Sequence, residues 1–336
     1  MTGWETERVV HFDFRKGNPC IDGFVHFGFH DRRGRHYVLE HQKHFLGLIG
    51  DDGRLQWTVA SKQVLDGVPN IRAELDFPIY IDSLPDGSLV TSNFGDSRLY
   101  RVEPVKMEAK LFFDGRASGM KHAGNCVVDD QGCVWVNEVE GCKIWKLDPS
   151  GAPLLILGNG EPGFQRGPVD FQHVRFSWIY DIRRGPDGNI YVLDSKNFAI
   201  REVDLRADRV KTVAGTGAPG YEGDGGDPTR ATFGSDPEAR FDGPISLSLD
   251  EIGNMYIGDR FNHVVRMIDV GSNTISTIAG DAGSASETPN SPDERRPLAL
   301  RLPKISSMDY FDGRLFVPTD IDEGSGDLIV LRKTDA

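Results

Sequence analysis

The chain has 336 residues, 38% of them hydrophobic, with 39 glycines, 19 prolines, four cysteines and a formal charge of −13. That is apolar material for one large domain, and the many turn residues suit short strands better than long helices. The acidic excess opposes nucleic acid or an acidic membrane surface as a partner, because phosphate binding needs a basic face.

No run reaches the ~18 apolar residues of a membrane helix, and the first residues lack the basic start and apolar core of a secretory signal. A cytoplasmic monomer is the expectation. Cys20, Cys126, Cys133 and Cys142 are too sparse for a disulfide scaffold and read as buried free thiols.

In chain order, residues 8–14 (Arg-Val-Val-His-Phe-Asp-Phe) alternate apolar and polar like an edge strand. Six similar units follow, each with a turn glycine after its first strand: Gly34, Gly87, Gly132, Gly188, Gly253 and Gly313. Second strands are predicted at 37–40, 88–91, 134–137, 190–193, 255–258 and 315–318, and third strands at 45–49, 99–102, 143–147, 200–203, 264–268 and 328–331. One such meander cannot bury both faces, so the units should stack side by side as a single domain with blades near 22–61, 75–115, 120–158, 176–215, 241–280 and 302–336. The sixth unit stops without a fourth strand, and residues 8–15 are expected to supply it and so remove an open edge. Long connections at 158–176, 215–241 and 280–302 are expected to crowd one mouth of a central channel.

The best-formed unit runs from Gly243 through Met255-Tyr-Ile-Gly-Asp-Arg-Phe-Asn-His-Val-Val-Arg-Met-Ile-Asp269 to Gly280. Ile190-Tyr-Val-Leu-Asp-Ser-Lys-Asn-Phe-Ala-Ile-Arg-Glu-Val-Asp204 repeats it nearly turn for turn, and the linkers Gly158-Asn-Gly-Glu-Pro-Gly-Phe164 and Gly215-Thr-Gly-Ala-Pro-Gly-Tyr221 share a second pattern. In these residues the chain resembles the NHL-repeat family of β-propellers. The resemblance implies an all-β, six-bladed propeller of four-stranded antiparallel blades; activity has to be argued from a site.

Where that family keeps a small residue in the first strand, this chain has His26, Tyr80, Asn125, Asp181 and Ser246. Buried polar groups need partners, so one reading is a watered channel wall. The other is an active site in which His26 or Asp181 is the base, Tyr80 the acid and Asn125 an orienting group. His26, Asn125 and Asp181 are also the set for a divalent ion, Ca or Zn. A second set lies at the mouth: His122, Arg175 and Trp178 just before inner strands, and His41, Asn93, Glu138, Arg260 and His263 at second turns. Arg175 and Arg260 suit a substrate carboxylate, against a bland reading in which they pair with surface acids.

Asp194 and Asp259 read as acceptors for turn amides. Residues 221–227, rich in Gly and Asp, lack EF-hand spacing and read as a turn motif. His41 and His44 read as a surface turn. There is no nucleophile elbow, phosphate loop or HExxH pair. Two functions stay open: an enzyme, lyase or hydrolase, on a small molecule or sugar-acid-like substrate, or a non-catalytic scaffold that binds a ligand or a protein.

Overall fold

The structure is a computed structural model describing residues 3–334 except 14–24, 32–33, 41–43, 51–53, 235–242, 283–289, 292–293 and 323–324, with backbone alone for 11–13, 25–28, 321–322 and 325. Cys20 and His41 lie outside the described residues, and so does the side chain of His26.

The fold is all-β, a six-bladed β-propeller whose blades are four-stranded antiparallel sheets. From inner to outer strand, the first blade is Val25–His30, His36–Glu40, Phe45–Ile49 and Leu55–Ala60, with Asn70–Arg72 added in parallel at its rim. The second is Pro78–Ser83, Leu89–Asn93, Arg98–Glu103 and Glu108–Asp114, and the third Ala123–Val128, Val134–Glu138, Lys143–Leu147 and Pro153–Leu157. The fourth is Ile179–Arg184, Ile190–Asp194, Ala199–Asp204 and Arg209–Ala214, rimmed by Val169–Asp170. The fifth is Ser246–Leu249, Met255–Asp259, Val264–Asp269 and Thr274–Ala279. The sixth is Asp309–Phe311, Arg314–Asp322 and Ser325–Lys333, and its outer strand is the N-terminal Trp4–Asp13, paired from Trp4↔Lys333 to Asp13↔Ser325. The alternating N-terminal segment thus closes the last blade and covers what would be a nine-residue open edge.

The hairpins between first and second strands share one local device. Asp129 accepts from the Gln131 and Cys133 amides (3.0 and 2.9 Å) and from Trp135 Nε1 (3.0 Å). Asp250 likewise accepts from the Ile252 and Asn254 amides and from Tyr256 Oη. Each turn closes on a glycine in the left-handed region, Gly132 (φ 77°) or Gly253 (φ 94°). Burial alone would push the Asp129 carboxyl up, but the Trp135 and Cys133 donors and Lys146 outweigh it and hold it below the usual range.

The chain divides into two compact units. The first, Pro19–Pro162 with Phe171–Ile182, holds the first three blades and the start of the fourth blade's inner strand. Within it Val38, Phe45, Leu55 and Ala60 pack with Ile49, Val64 and Val68, and Cys126, Cys133 and Cys142 are buried and form no disulfide. Asp82 on one inner strand accepts from the Val128 amide on the next (2.7 Å). The second unit is Met1–Asn18, Gly163–Asp170 and Arg183–Ala336. Its core includes Tyr256, Val265, Leu302, Met308, Leu315 and Ile329. Its inner strands are joined in the same manner, with Arg183 Nε donating to Leu247 O (2.5 Å) and the Tyr310 amide donating to Ser248 Oγ (2.9 Å). Among the described residues no helix is long and apolar enough to cross a membrane.

Candidate functional site

In the first unit, the residue just ahead of three successive inner strands turns into the left-handed region while carrying a ring: Phe77 (φ 54°), His122 (φ 54°) and Trp178 (φ 56°). The matching residue of the fifth blade is Gly243 (φ 109°). Bulky residues are rare in this region, and each costs about 1 kcal/mol or more unless its surroundings hold it.

For His122 those surroundings are explicit. Glu138, fully buried at the end of the second strand, accepts from the Lys121 amide through Oε1 (2.8 Å) and from Trp145 Nε1 through Oε2 (2.9 Å). The Val139 amide donates to His122 O (3.0 Å). Gly141 makes room for the folded-back carboxylate, since a Cβ there would stand 1.8 Å from Glu138 Oε1. The imidazole stacks on Phe94 (4.5 Å between centroids, planes 9° apart). Its Nδ1 lies 3.4 Å from Glu140 Oε2, and the side chain is 40% exposed.

Three residues beyond His122, Asn125 donates through Nδ2 to Asp181 Oδ1 (2.5 Å). Asp181 is buried and Asn125 half-buried. Asn137 Nδ2 donates to Ile179 O (2.7 Å). Gly124 admits that amide, because a Cβ at 124 would lie 2.1 Å from Asn137 Nδ2. A carboxylate held by an amide, and a half-exposed imidazole three residues before that amide in the chain, are groups that can bind a polar substrate and move a proton.

Of the five first-strand residues, Asn125 and Asp181 are therefore brought together. Tyr80 is buried with its ring tilted against Phe29 at 4.3 Å. His26 sits where the pairing of Val25–His30 shifts register. Ser246 is buried in the second unit, and its Oγ has no hydrogen-bond partner.

In the mouth set, Trp178 is half-buried and Asn93 fully buried. Arg175 pairs with Glu161 (3.1 Å), and Arg260 Nη1 donates to Ile305 O (3.4 Å). His263 Nδ1 lies against Leu302 O and Pro303 O (3.2 and 3.1 Å) and fastens the end of the loop that follows its blade. His44 Nδ1 accepts from the Phe77 amide (2.8 Å). Among the described residues, no three His, Cys, Asp or Glu side chains form a group that could hold a metal ion.

Asp194 corrects the expectation of a turn-amide acceptor. Its Oδ2 accepts from Asn197 Nδ2 (2.9 Å) and Arg201 Nη1 (3.1 Å). The following turn closes on itself, Phe198 N to Ser195 O, and makes no capping bond to the Asp194 side chain. Asp259 accepts from Asn262 Nδ2 (2.8 Å) and from the amide of Gly234 in the linker (2.9 Å). In the stretch 221–227, Asp224 pairs with Arg266 (2.6 Å) and accepts from the Thr277 amide, which makes it an anchor for the loop. Phe77, Phe94 and Glu140 were missed as site residues. Only the position of Phe77, matching His122 and Trp178 ahead of an inner strand, could have signalled any of them.

No protein-family model matches the chain. It is 26% identical over 151 residues to protein SUPPRESSOR OF QUENCHING 1, chloroplastic, of Arabidopsis thaliana, covering 43% of this chain and 13% of that protein. It is 31% identical over 90 residues to NHL repeat-containing protein 2 of Homo sapiens, covering 26% and 11%. The chain therefore matches only a small part of the length of these curated relatives. Among solved structures, a Bacteroides thetaiotaomicron protein of unknown function superposes with TM-score 0.62 at 15% identity, covering 99% of this chain and 77% of that one. A streptogramin B lyase superposes at 0.57 and 11% identity, covering 97% and 98%. A catalytically inactive histidine-to-alanine variant of virginiamycin B lyase from Staphylococcus aureus, with quinupristin, superposes at 0.54 and 11%, covering 91% and 79%. At such identities the likeness is one of fold.

Proposed function

Taking the chain as a six-bladed β-propeller that resembles the NHL-repeat proteins, we propose that it is an enzyme, a lyase or hydrolase acting on a small molecule, with His122 as the proton-transferring group. The observation that carries this reading is the setting of His122: an imidazole half in solvent, backed at Nδ1 by Glu140 and seated on Phe94. Glu140 stands beside Nδ1 at 3.4 Å without making a hydrogen bond to it, which leaves the other ring nitrogen for substrate. Asn125 and Asp181 serve as the polar contact for the substrate, and Trp178 lines the approach. Arg175 can exchange Glu161 for a substrate carboxylate, since its pairing is at the surface and weak. The propeller lyases support the reading by analogy of fold, one of them being inactive when a histidine becomes alanine. The net charge of −13 favours a small-molecule substrate over nucleic acid.

The test is turnover of a panel of lactones, sugar acids and cyclic depsipeptides followed by mass spectrometry. His122→Ala should lower any turnover found by ~100-fold or more, the usual weight of a general acid or base, with an unchanged circular dichroism spectrum. Asp181→Asn should raise KM. Turnover in His122→Ala at the parental rate would sink the proposal, as would inertness toward every compound.

A further inference from the structure

Asn159 and Gly160 form the single Asn-Gly pair of the sequence. They follow the strand Pro153–Leu157 and the left-handed turn at Gly158 (φ 84°), where the chain leaves the third blade. An asparagine ahead of glycine is open to attack on its own side chain, because the next residue has no Cβ to shield its peptide nitrogen. In a folded chain the attack further requires access, a peptide nitrogen free of other bonds, and polarisation of the side-chain carbonyl.

Asn159 meets all three. It is exposed. Gly160 N makes no hydrogen bond among the described residues, so no structural bond has to break before it attacks. Asn159 Oδ1 accepts from the Glu161 amide (2.9 Å), which folds the side chain back along its own following peptide. That bond closes a small ring containing both Asn159 Cγ and Gly160 N. It also polarises the carbonyl and supports the negative charge that develops on Oδ1 when Cγ is attacked. Gly160 turns at φ 84°, and a Cβ there would lie 2.9 Å from Lys143 Cε and 3.4 Å from Lys143 Nζ. An ammonium is thus set beside the residue whose nitrogen must shed its proton, and it favours the anion. Asn290, followed by Ser291, is the contrast: it is buried, its Nδ2 donates to Arg301 O (2.8 Å) and Asp327 Oδ2 (2.9 Å), and its Oδ1 accepts from the Arg301 amide (2.8 Å).

We propose that Asn159 is a site of self-modification, at which the folded chain converts a neutral amide into a carboxylate. The Gly160 nitrogen attacks Asn159 Cγ, a new C–N bond closes a succinimide, and the side-chain nitrogen leaves as ammonia with the proton that Gly160 gave up. Water then opens the ring at either carbonyl and leaves aspartate or isoaspartate, with no change of oxidation state. The product alters one local pairing. Glu161 Oε2 now takes both Asn159 Nδ2 (3.5 Å) and Arg175 (3.1 Å), and after conversion a second carboxylate replaces that amide donor and competes for Arg175. The conversion does not depend on the enzymatic reading: a chain inert toward every substrate would still undergo it.

The test is to age the full chain in heavy-oxygen water at mildly alkaline pH, folded and in guanidinium chloride, and to map the peptides by mass spectrometry. In the folded chain the peptide containing residues 159 and 160 should gain one heavy oxygen and become a substrate for an isoaspartyl methyltransferase, while the Asn290 peptide stays intact. In guanidinium chloride Asn159 should convert at a rate within about threefold of the folded one, a barrier change below the ~1.4 kcal/mol that a tenfold difference represents. Gly160→Ala should slow the folded conversion by about tenfold or more, since the added Cβ shields the nitrogen and meets Lys143. Asn159 intact in the folded chain while the unfolded chain converts, no heavy oxygen taken up, or the parental rate in Gly160→Ala would overturn the site.

Discussion

Blades three and five put the same stations of their repeats to different uses. Asp259, Asn262 and Arg266 stand six, nine and thirteen residues after the turn glycine Gly253, and Glu138, Gly141 and Trp145 stand at the same distances after Gly132. In the fifth blade the set fastens a loop. Arg266 is fully buried and donates to Asp224 Oδ1 (2.6 and 3.1 Å), Thr232 O (2.8 Å) and Glu222 O (3.0 Å), between the rings of Tyr221 and Phe233. The fourth blade does likewise: Arg201 reaches Asp194 and Gln165 O and lies over Phe164. Burial pulls the Arg201 guanidinium below its ordinary pKa, with Asp194 opposing. A guanidinium with five donors can gather several linker acceptors at once. Trp145 has one donor, which one oxygen of Glu138 satisfies; the other oxygen is left for the Lys121 amide, and so fixes His122. The station that closes a loop in one unit positions a candidate catalytic side chain in the other.

The largest expected effect lies on the closed side. Arg266→Met should lower unfolding free energy by about 3 kcal/mol, because it strands buried carbonyls and Asp224 together. Urea titration checks this, and a loss below about 1 kcal/mol would mean the guanidinium is not the anchor. On the positioning side the effect should be smaller and of a different kind. Trp145→Phe removes the donor to a buried carboxylate and should cost roughly 2 kcal/mol. It should also move the His122 imidazole signals in NMR, which Arg266→Met should leave in place. If both variants shift them alike, the two stations are not distinct.

How much of this was legible in the residues depends on whether the device is local. The six turn glycines, the strand alternation and the missing last strand are written in short-range patterns, and they place the blades and the N-terminal closure. The Asp-Asn-Arg spacing was visible as a motif, but its carboxylates looked like turn acceptors because the other partners of its arginines, Gln165 and Thr232, come from linkers that carry no periodic signal. Glu138 was legible as a mouth residue only. Its burial follows from Gly141, whose absent side chain admits the carboxylate, a contact that no spacing rule announces. The pairing of Asn125 with Asp181 joins inner strands 56 residues apart, so the sequence could nominate each but not the bond.

The smallest expected effect tests what the two units share. Asp129 in one and Asp250 in the other each hold a turn and an aromatic donor, so Asp129→Asn and Asp250→Asn should cost about the same, near 1 kcal/mol at neutral pH. Asp129 adds a pH signature. Its folded carboxyl titrates below the ordinary value, so its contribution is fully present above the unfolded pKa of about 3.9 and is lost as pH falls through the folded value. The stability gap between the parent and Asp129→Asn should therefore hold from pH 7 down to the carboxylate range and shrink below it, because the protonated acid gives up the charge that Lys146 and the Trp135 donor favour. Denaturant titrations at several pH values measure the gap directly. A gap that widens toward acid would require a folded pKa above the ordinary one, and the carboxylate would then be held against its burial by nothing that Trp135, Cys133 and Lys146 provide.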